Sequence, residues 1–132
     1  MTKIDHIGIA TDSIADATIF WETLGFNVTK DDVVKEQGVK VRYLNCDSDT
    51  RIELLEPLSE ESPVGRFIGS RGAGVQQVAI SVNDLDETIS YLVNKGIRMV
   101  NSDPVVGSGG HRIAFVHPSS SGGVLVELVE DN

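Results

Sequence analysis

Two stretches decide the fold: DHIGIATDSIADATIFWETLGF, residues 5–26, and QQVAISVNDLDETISYLVNKGI, residues 76–97. Laid one over the other, they match without a gap. His6 falls on Gln77, Gly8 on Ala79, Ile14 on Leu85, Gly25 on Gly96 and Phe26 on Ile97, each pair 71 residues apart. Self-similarity at one fixed offset marks duplicated supersecondary units. The local chemistry repeats with it. KIDHIGIAT and GVQQVAISV read as strands. Ser13 and Asp84 then open helices, each with an acid three positions on, Asp16 and Glu87, in the manner of a capping box whose acid reaches back to the free N–H groups. Ile14, Ala17, Phe20, Trp21 and Leu24 follow helical spacing, as do Leu85, Ile89, Leu92 and Val93. Gly25 and Gly96 stand where a left-handed residue ends a helix. Phe26 and Ile97 are expected to begin the next strands.

The remainder of each half matches as well. VKVRYLNCDSDTRIELLEP, residues 39–57, reads as strand, turn, strand, with DSD as the turn. GHRIAFVHPSSSGGVLVELVE, residues 110–130, reads the same way with a longer turn at PSSSGG. That extra length moves Glu53 onto Glu127, 74 residues apart. The sequence therefore predicts an α+β fold in one domain over residues 1–132. It consists of two βαβββ halves, about 1–58 and 73–132. The stretch SEESPVGRFIGSRGAG links them and holds a short helix from about Pro63 to Ile68, with Pro63 suited to a first helical turn.

Composition narrows the function. A net charge of -9 disfavours nucleic acid and anionic membrane surfaces, whose phosphates would be repelled. The single cysteine, Cys46, rules out an intrachain disulfide and gives no sign of a secreted scaffold. The N-terminus lacks the apolar core of a signal peptide, and no apolar run nears the ~20 residues of a membrane span. A cytoplasmic protein is expected.

Four strand residues resist a purely structural reading. His6, Glu53, Gln77 and Glu127 each share a strand face with apolar or small neighbours. The repeat relates them in pairs, His6 to Gln77 and Glu53 to Glu127. Taken singly, each is an ordinary core or edge residue. Taken together, two inward carboxylates would repel in a dry site. A divalent cation removes that cost, and the imidazole and the amide oxygen complete its donor set. One nitrogen and three oxygens suit Zn, Co, Ni or Mn rather than a thiolate-seeking metal. Gln77 then takes the role that His6 has in the other half, while Gln76 points away.

The residues that carry these features, DHIGIA, IELLEPLSEESPVGRFI and GSGGHRIAFVHPSSSGGVLVELVE, resemble the vicinal oxygen chelate superfamily. This glyoxalase/bleomycin-resistance/dioxygenase group is built from paired βαβββ modules with a curved sheet around a metal cleft. Within it the sequence is most similar to the methylmalonyl-CoA epimerases. The resemblance implies that His6, Glu53 and Glu127 are metal ligands, and it sets Gln76-Gln77 where those epimerases have a histidine pair. Lactoylglutathione lyases similarly use one Gln, one His and two Glu. The implied chemistry is removal of a proton next to a thioester carbonyl, with Glu127 as first candidate base and Glu53 as the second carboxylate. An acyl-CoA substrate and a homodimer are expected. Lys40, Arg42, Arg66, Arg71 and Arg112 can meet CoA phosphates, and Gly107–Gly110 can present backbone N–H groups. His111 and His117 read as loop and turn residues. A lactoylglutathione lyase-type enzyme and a non-catalytic binding protein on the same scaffold are the alternatives.

Overall fold

The backbone builds the sequence repeat twice over. The structure, a computed structural model, describes residues 2–131; the ends of the expected domain, residues 1 and 132, lie outside the described residues. The first half contains β1 (Lys3–Ala10), α1 (Ile14–Thr23), β2 (Asn27–Val34), β3 (Val39–Asn45) and β4 (Arg51–Pro57). Then follow α2 (Pro63–Arg71), β5 (Gly74–Val82), α3 (Leu85–Asn94), β6 (Val105–Val106), β7 (Arg112–Val116) and β8 (Leu125–Glu130). Two units emerge: His6–Gln76, and the residues from Gln77 onward with those before His6. Among the described residues no helix is long and apolar enough to cross a membrane.

In the first unit β2, β3 and β4 pair antiparallel in sequence, and β1 joins β4 in parallel. Alternation divides the two faces. Ile7, Ile9, Leu44, Ile52 and Leu54 face α1, where they meet Ile14, Ala17 and Trp21. Ala10, Val34, Val39, Val41 and Leu55 lie on the other face against Val64, Phe67 and Ile68 of α2. Helix α2 runs three residues past its predicted end, from its N-cap Ser62, whose Oγ accepts from Gly65 N–H at 3.1 Å. Gly65 has no room for a side chain: a Cβ there would stand 2.2 Å from the Ser59 carbonyl oxygen.

In the second unit β5 and β8 pair in parallel, and β8–β7 and β7–β6 antiparallel. Ile80, Val82, Val126, Leu128, Ala114 and Val116 pack with Leu85, Ile89 and Leu92 of α3. Ala79, Ile113, Val129 and Phe115 cluster separately. The strand expected to begin at Ile97 is broken. Met99 makes an isolated bridge to Val116, and β6 is only two residues long, beyond Pro104. The cause is local chemistry. Proline lacks a ladder donor, and the Asn101 side chain takes a backbone role by accepting from Phe115 N–H at 2.9 Å.

Both predicted N-caps form: Ser13 Oγ accepts from Asp16 N–H at 3.2 Å, and Asp84 Oδ1 from Glu87 N–H at 3.0 Å. The return arm at Ser13 does not form. Ser13 N–H goes to Thr11 Oγ1 at 3.3 Å. The first helical N–H is met from far along the chain instead. Ile14 N–H donates to Glu56 Oε1 at 2.8 Å, and Leu85 N–H to Glu130 Oε2 at 2.9 Å. A carboxylate at a helix N-terminus satisfies a free donor and meets the positive end of the helix dipole. The helical stripes are also wider than the buried faces: Phe20, Leu24 and Val93 are exposed.

Candidate functional site

His6 and Glu53 meet in the first half because the parallel register sets Gly8 against Glu53 and His6 against Arg51. Both side chains are buried, and His6 Nδ1 lies 3.2 Å from Glu53 Oε2. Arg51, two residues before Glu53 and so on its face, completes the group. Its Nε and Nη2 donate to Glu53 Oε2 at 2.9 and 2.6 Å. Nη2 stands 3.5 Å from His6 Nδ1. The guanidinium lies over the Tyr43 ring, 4.7 Å from its centroid, and Tyr43 is the ladder partner of Glu53. Short charge-assisted contacts of this kind fix a carboxylate firmly. Asp5, the half-buried residue before His6, comes close as well: Asp5, His6 and Glu53 each offer one potential ligand atom, all within 4.8 Å of one another.

Gln77 and Glu127 meet in the second half through the same geometry. The β5–β8 register sets Ala79 against Glu127 and Gln77 against Leu125. Both are buried, and Gln77 Nε2 donates to Glu127 Oε1 at 2.5 Å. Phe115 is the ladder partner of Glu127, as Tyr43 is of Glu53. Gln76 lies on the opposite side of its strand, as alternation requires.

The Glu53 carboxylate already has a counter-charge in Arg51, so its burial alone does not demand a metal ion. Arg51 and Asp5 are the site-forming residues that sequence reasoning missed. Strand alternation put Arg51 on the face of Glu53, which was its available signal. For Asp5 the signal was adjacency to His6.

The other candidates divide. Arg42 forks onto Asp31, Nε to Oδ1 at 2.8 Å and Nη2 to Oδ2 at 3.0 Å. That hydrogen bond, aided by Coulomb attraction and opposed by slight burial, holds the Asp31 carboxyl below its ordinary range and raises Arg42. Arg112 contacts Asp86 at 3.0 Å and Glu130 at 3.1 Å, and Lys40 lies 3.7 Å from Glu56. Three of the five proposed phosphate-binding cations thus engage carboxylates of their own half. Arg71 lies over Phe67, one turn back on α2. His117 is a turn residue, its Nδ1 accepting from Ser119 N–H at 3.0 Å. In the GSGG loop the N–H groups of Gly107 and Gly110 are taken up internally, by His111 O at 2.8 Å and Gly107 O at 3.1 Å.

Residues 5–115 match the Glyoxalase/Bleomycin resistance protein/Dioxygenase superfamily. The mitochondrial methylmalonyl-CoA epimerase of Bos taurus is 33% identical over 128 residues, covering 96% of this chain and 73% of that protein. The crystal structure of methylmalonyl-CoA epimerase from Mycobacterium tuberculosis superposes with a TM-score of 0.93 at 36% identity, covering 98% of this chain and 87% of that one. A methylmalonyl-CoA epimerase in complex with methylmalonyl-CoA and NH4+ gives a TM-score of 0.92 at 39% identity, covering 99% and 95%. The chain therefore belongs to the glyoxalase/bleomycin resistance protein/dioxygenase superfamily, with its α+β fold of two βαβββ modules. Within that superfamily its likeness to methylmalonyl-CoA epimerases, in sequence and in structure, runs over nearly the full length.

Proposed function

We propose that the protein is a divalent-metal-dependent epimerase of a methylmalonyl-CoA-type thioester. One observation carries the reading: each half sets a buried carboxylate, Glu53 or Glu127, beside a buried neutral donor, His6 or Gln77, at the same ladder position. The likeness of nearly the whole chain to methylmalonyl-CoA epimerases, one of them solved with methylmalonyl-CoA, supports the substrate class. In this reading the two halves form one domain, and His6, Glu53, Gln77 and Glu127 hold one ion of Co, Zn, Ni or Mn. The donors suit such an ion: an imidazole nitrogen, two carboxylates that match its charge, and an amide whose oxygen can serve as a further donor.

A bound divalent cation supplies electrophilic stabilisation to the enolate as negative charge develops on the thioester oxygen. The chain supplies the proton transfers. Glu127 takes the α-proton on one face, and the C–H electron pair enters the enolate. Glu53 relays a proton from water to the opposite face, which inverts the centre, and the proton that Glu127 took up passes to solvent to restore both carboxylates. Gly8 and Ala79, the ladder partners of the two glutamates, add little side-chain bulk beside them.

The test is α-proton exchange. The metal-loaded protein should incorporate deuterium at the α-carbon of methylmalonyl-CoA in heavy water, read by NMR or mass spectrometry. Glu127→Gln should keep the circular dichroism spectrum and slow exchange by about 10²–10⁴-fold. A wild-type protein that catalyses no exchange overturns the epimerase reading. Wild-type exchange in Glu127→Gln excludes Glu127 as the base.

A further inference from the structure

Three nitrogens meet one oxygen in the first half. Arg51 Nε and Nη2 stand 2.9 and 2.6 Å from Glu53 Oε2, and His6 Nδ1 stands 3.2 Å from the same atom. A carboxylate oxygen offers two lone pairs, and the two Arg51 N–H groups already occupy those of Oε2. A guanidinium keeps its charge throughout the working pH range and offers five donors in a rigid fork. Arg51 thus sets a full positive charge beside both first-half donors, and Tyr43 holds its flat face.

A dication and a guanidinium cannot share these donors without strong repulsion. One must move, and Arg51 has a way out, because its side chain is 19% exposed where that of Glu53 is 4% exposed. The second half lacks the device: Leu125 occupies the ladder position that Arg51 holds in the first.

We propose that Arg51 is a built-in counter-ion that competes with the divalent cation for Glu53 and His6. It holds both side chains in place without metal, releases them when metal binds, and so sets the metal affinity of the site. Arg51 is here a positioning residue. The proposal rests on the reading of His6 and Glu53 as ligands, and the experiment separates the two.

Metal-stripped wild type, Arg51→Leu and Arg51→Lys are titrated with Co²⁺ alone by calorimetry, and the visible Co²⁺ spectrum reports the ligand set. Leucine copies what the second half carries at this position. Arg51→Leu should bind Co²⁺ about tenfold more tightly or better, with an unchanged spectrum. Its metal-free form should melt below metal-free wild type, because Glu53 loses its partner. Arg51→Lys keeps the charge but loses the fork, and should tighten binding by less. Unchanged or weaker binding in Arg51→Leu, with wild type still binding Co²⁺, overturns the counter-ion role and leaves the ligand reading standing. No Co²⁺ binding by wild type or by either variant overturns both. Should Arg51→Leu fail to fold, Arg51→Lys decides: tighter binding supports the proposal, and equal or weaker binding overturns it.

Discussion

In the first half, β1 and β4 set Gly8 against Glu53 and His6 against Arg51; in the second, β5 and β8 set Ala79 against Glu127 and Gln77 against Leu125. The backbone relation is the same, and the electrostatics are not. Glu53 sits against a fixed cation and an imidazole. Glu127 accepts from a neutral amide. One duplicated frame thus holds two carboxylates in different charge environments. For a reaction that removes a proton from one face and returns it to the other, that difference lets the two take separate roles.

The contrast between imidazole and amide can be broken directly. Gln77→His would give the second half the donor that the first half has, in the same ladder geometry. Imidazole is a stronger donor than a neutral amide toward Zn, Co and Ni. Metal retention should rise by about tenfold, read by titrating metal-stripped wild type and variant in parallel, with the fold unchanged by circular dichroism. Equal affinities would mean that Gln77 is no ligand and that its amide serves only to hold Glu127.

The repeat made much of this legible. His6 and Gln77, Glu53 and Glu127, the two N-caps and the glycines after each helix recur at constant offsets. Gly25 and Gly96 both have the left-handed φ expected of them, +107° and +85°. Arg51 escaped because its mate in the repeat is Leu125, so internal symmetry gives it no polar signal. Whether an arginine curls onto its neighbour or extends into water is a side-chain choice that alternation does not decide. Asp5 escaped for a related reason: neighbours on a strand point to opposite faces, and only a specific side-chain path brings it near His6. The break after Ile97 was hidden by an apolar match to Phe26, while Asn101 and Pro104 downstream decided the backbone. Glu56 and Glu130 were within reach. They lie 74 residues apart, the offset that relates Glu53 to Glu127.

Those two glutamates give the next comparison, because here the halves agree. Glu56 meets the first N–H of α1, and Glu130 that of α3, at 2.8 and 2.9 Å. Removing either acceptor exposes one helix-terminal donor, at a cost of about 1 kcal/mol. Glu56→Ala and Glu130→Ala should therefore destabilise the protein by similar amounts in urea unfolding, within about 0.5 kcal/mol of each other. The surface contacts of Glu56 with Lys40 and of Glu130 with Arg112 should add little. A loss in Glu130→Ala several times that in Glu56→Ala would show that the halves do not share this scaffold energetically.

The smallest expected effect separates the halves again. Arg42 on β3 holds Asp31 on β2 through two hydrogen bonds, and the side chain of Asp31 is 59% exposed. The Arg42 hydrogen bond, with a smaller Coulomb contribution, lowers the Asp31 carboxyl below its ordinary value, against slight desolvation. A lowered carboxyl contributes stability that is fully present above its unfolded value, about 3.9, and is lost as pH falls through the folded value. Arg42 is raised from a value already above the working range and adds no pH dependence there. Wild type should therefore exceed Asp31→Asn in stability by a few tenths of a kcal/mol, about 0.3–0.5, at pH 6–8 in low salt. The gap should shrink in high salt and close as pH falls through the lowered folded value of Asp31. Paired urea titrations at pH 7 and in acid measure it. A gap that persists unchanged in acid would mean that Asp31 acts through its shape and hydrogen bonds rather than its charge, and the first half would lose this electrostatic anchor.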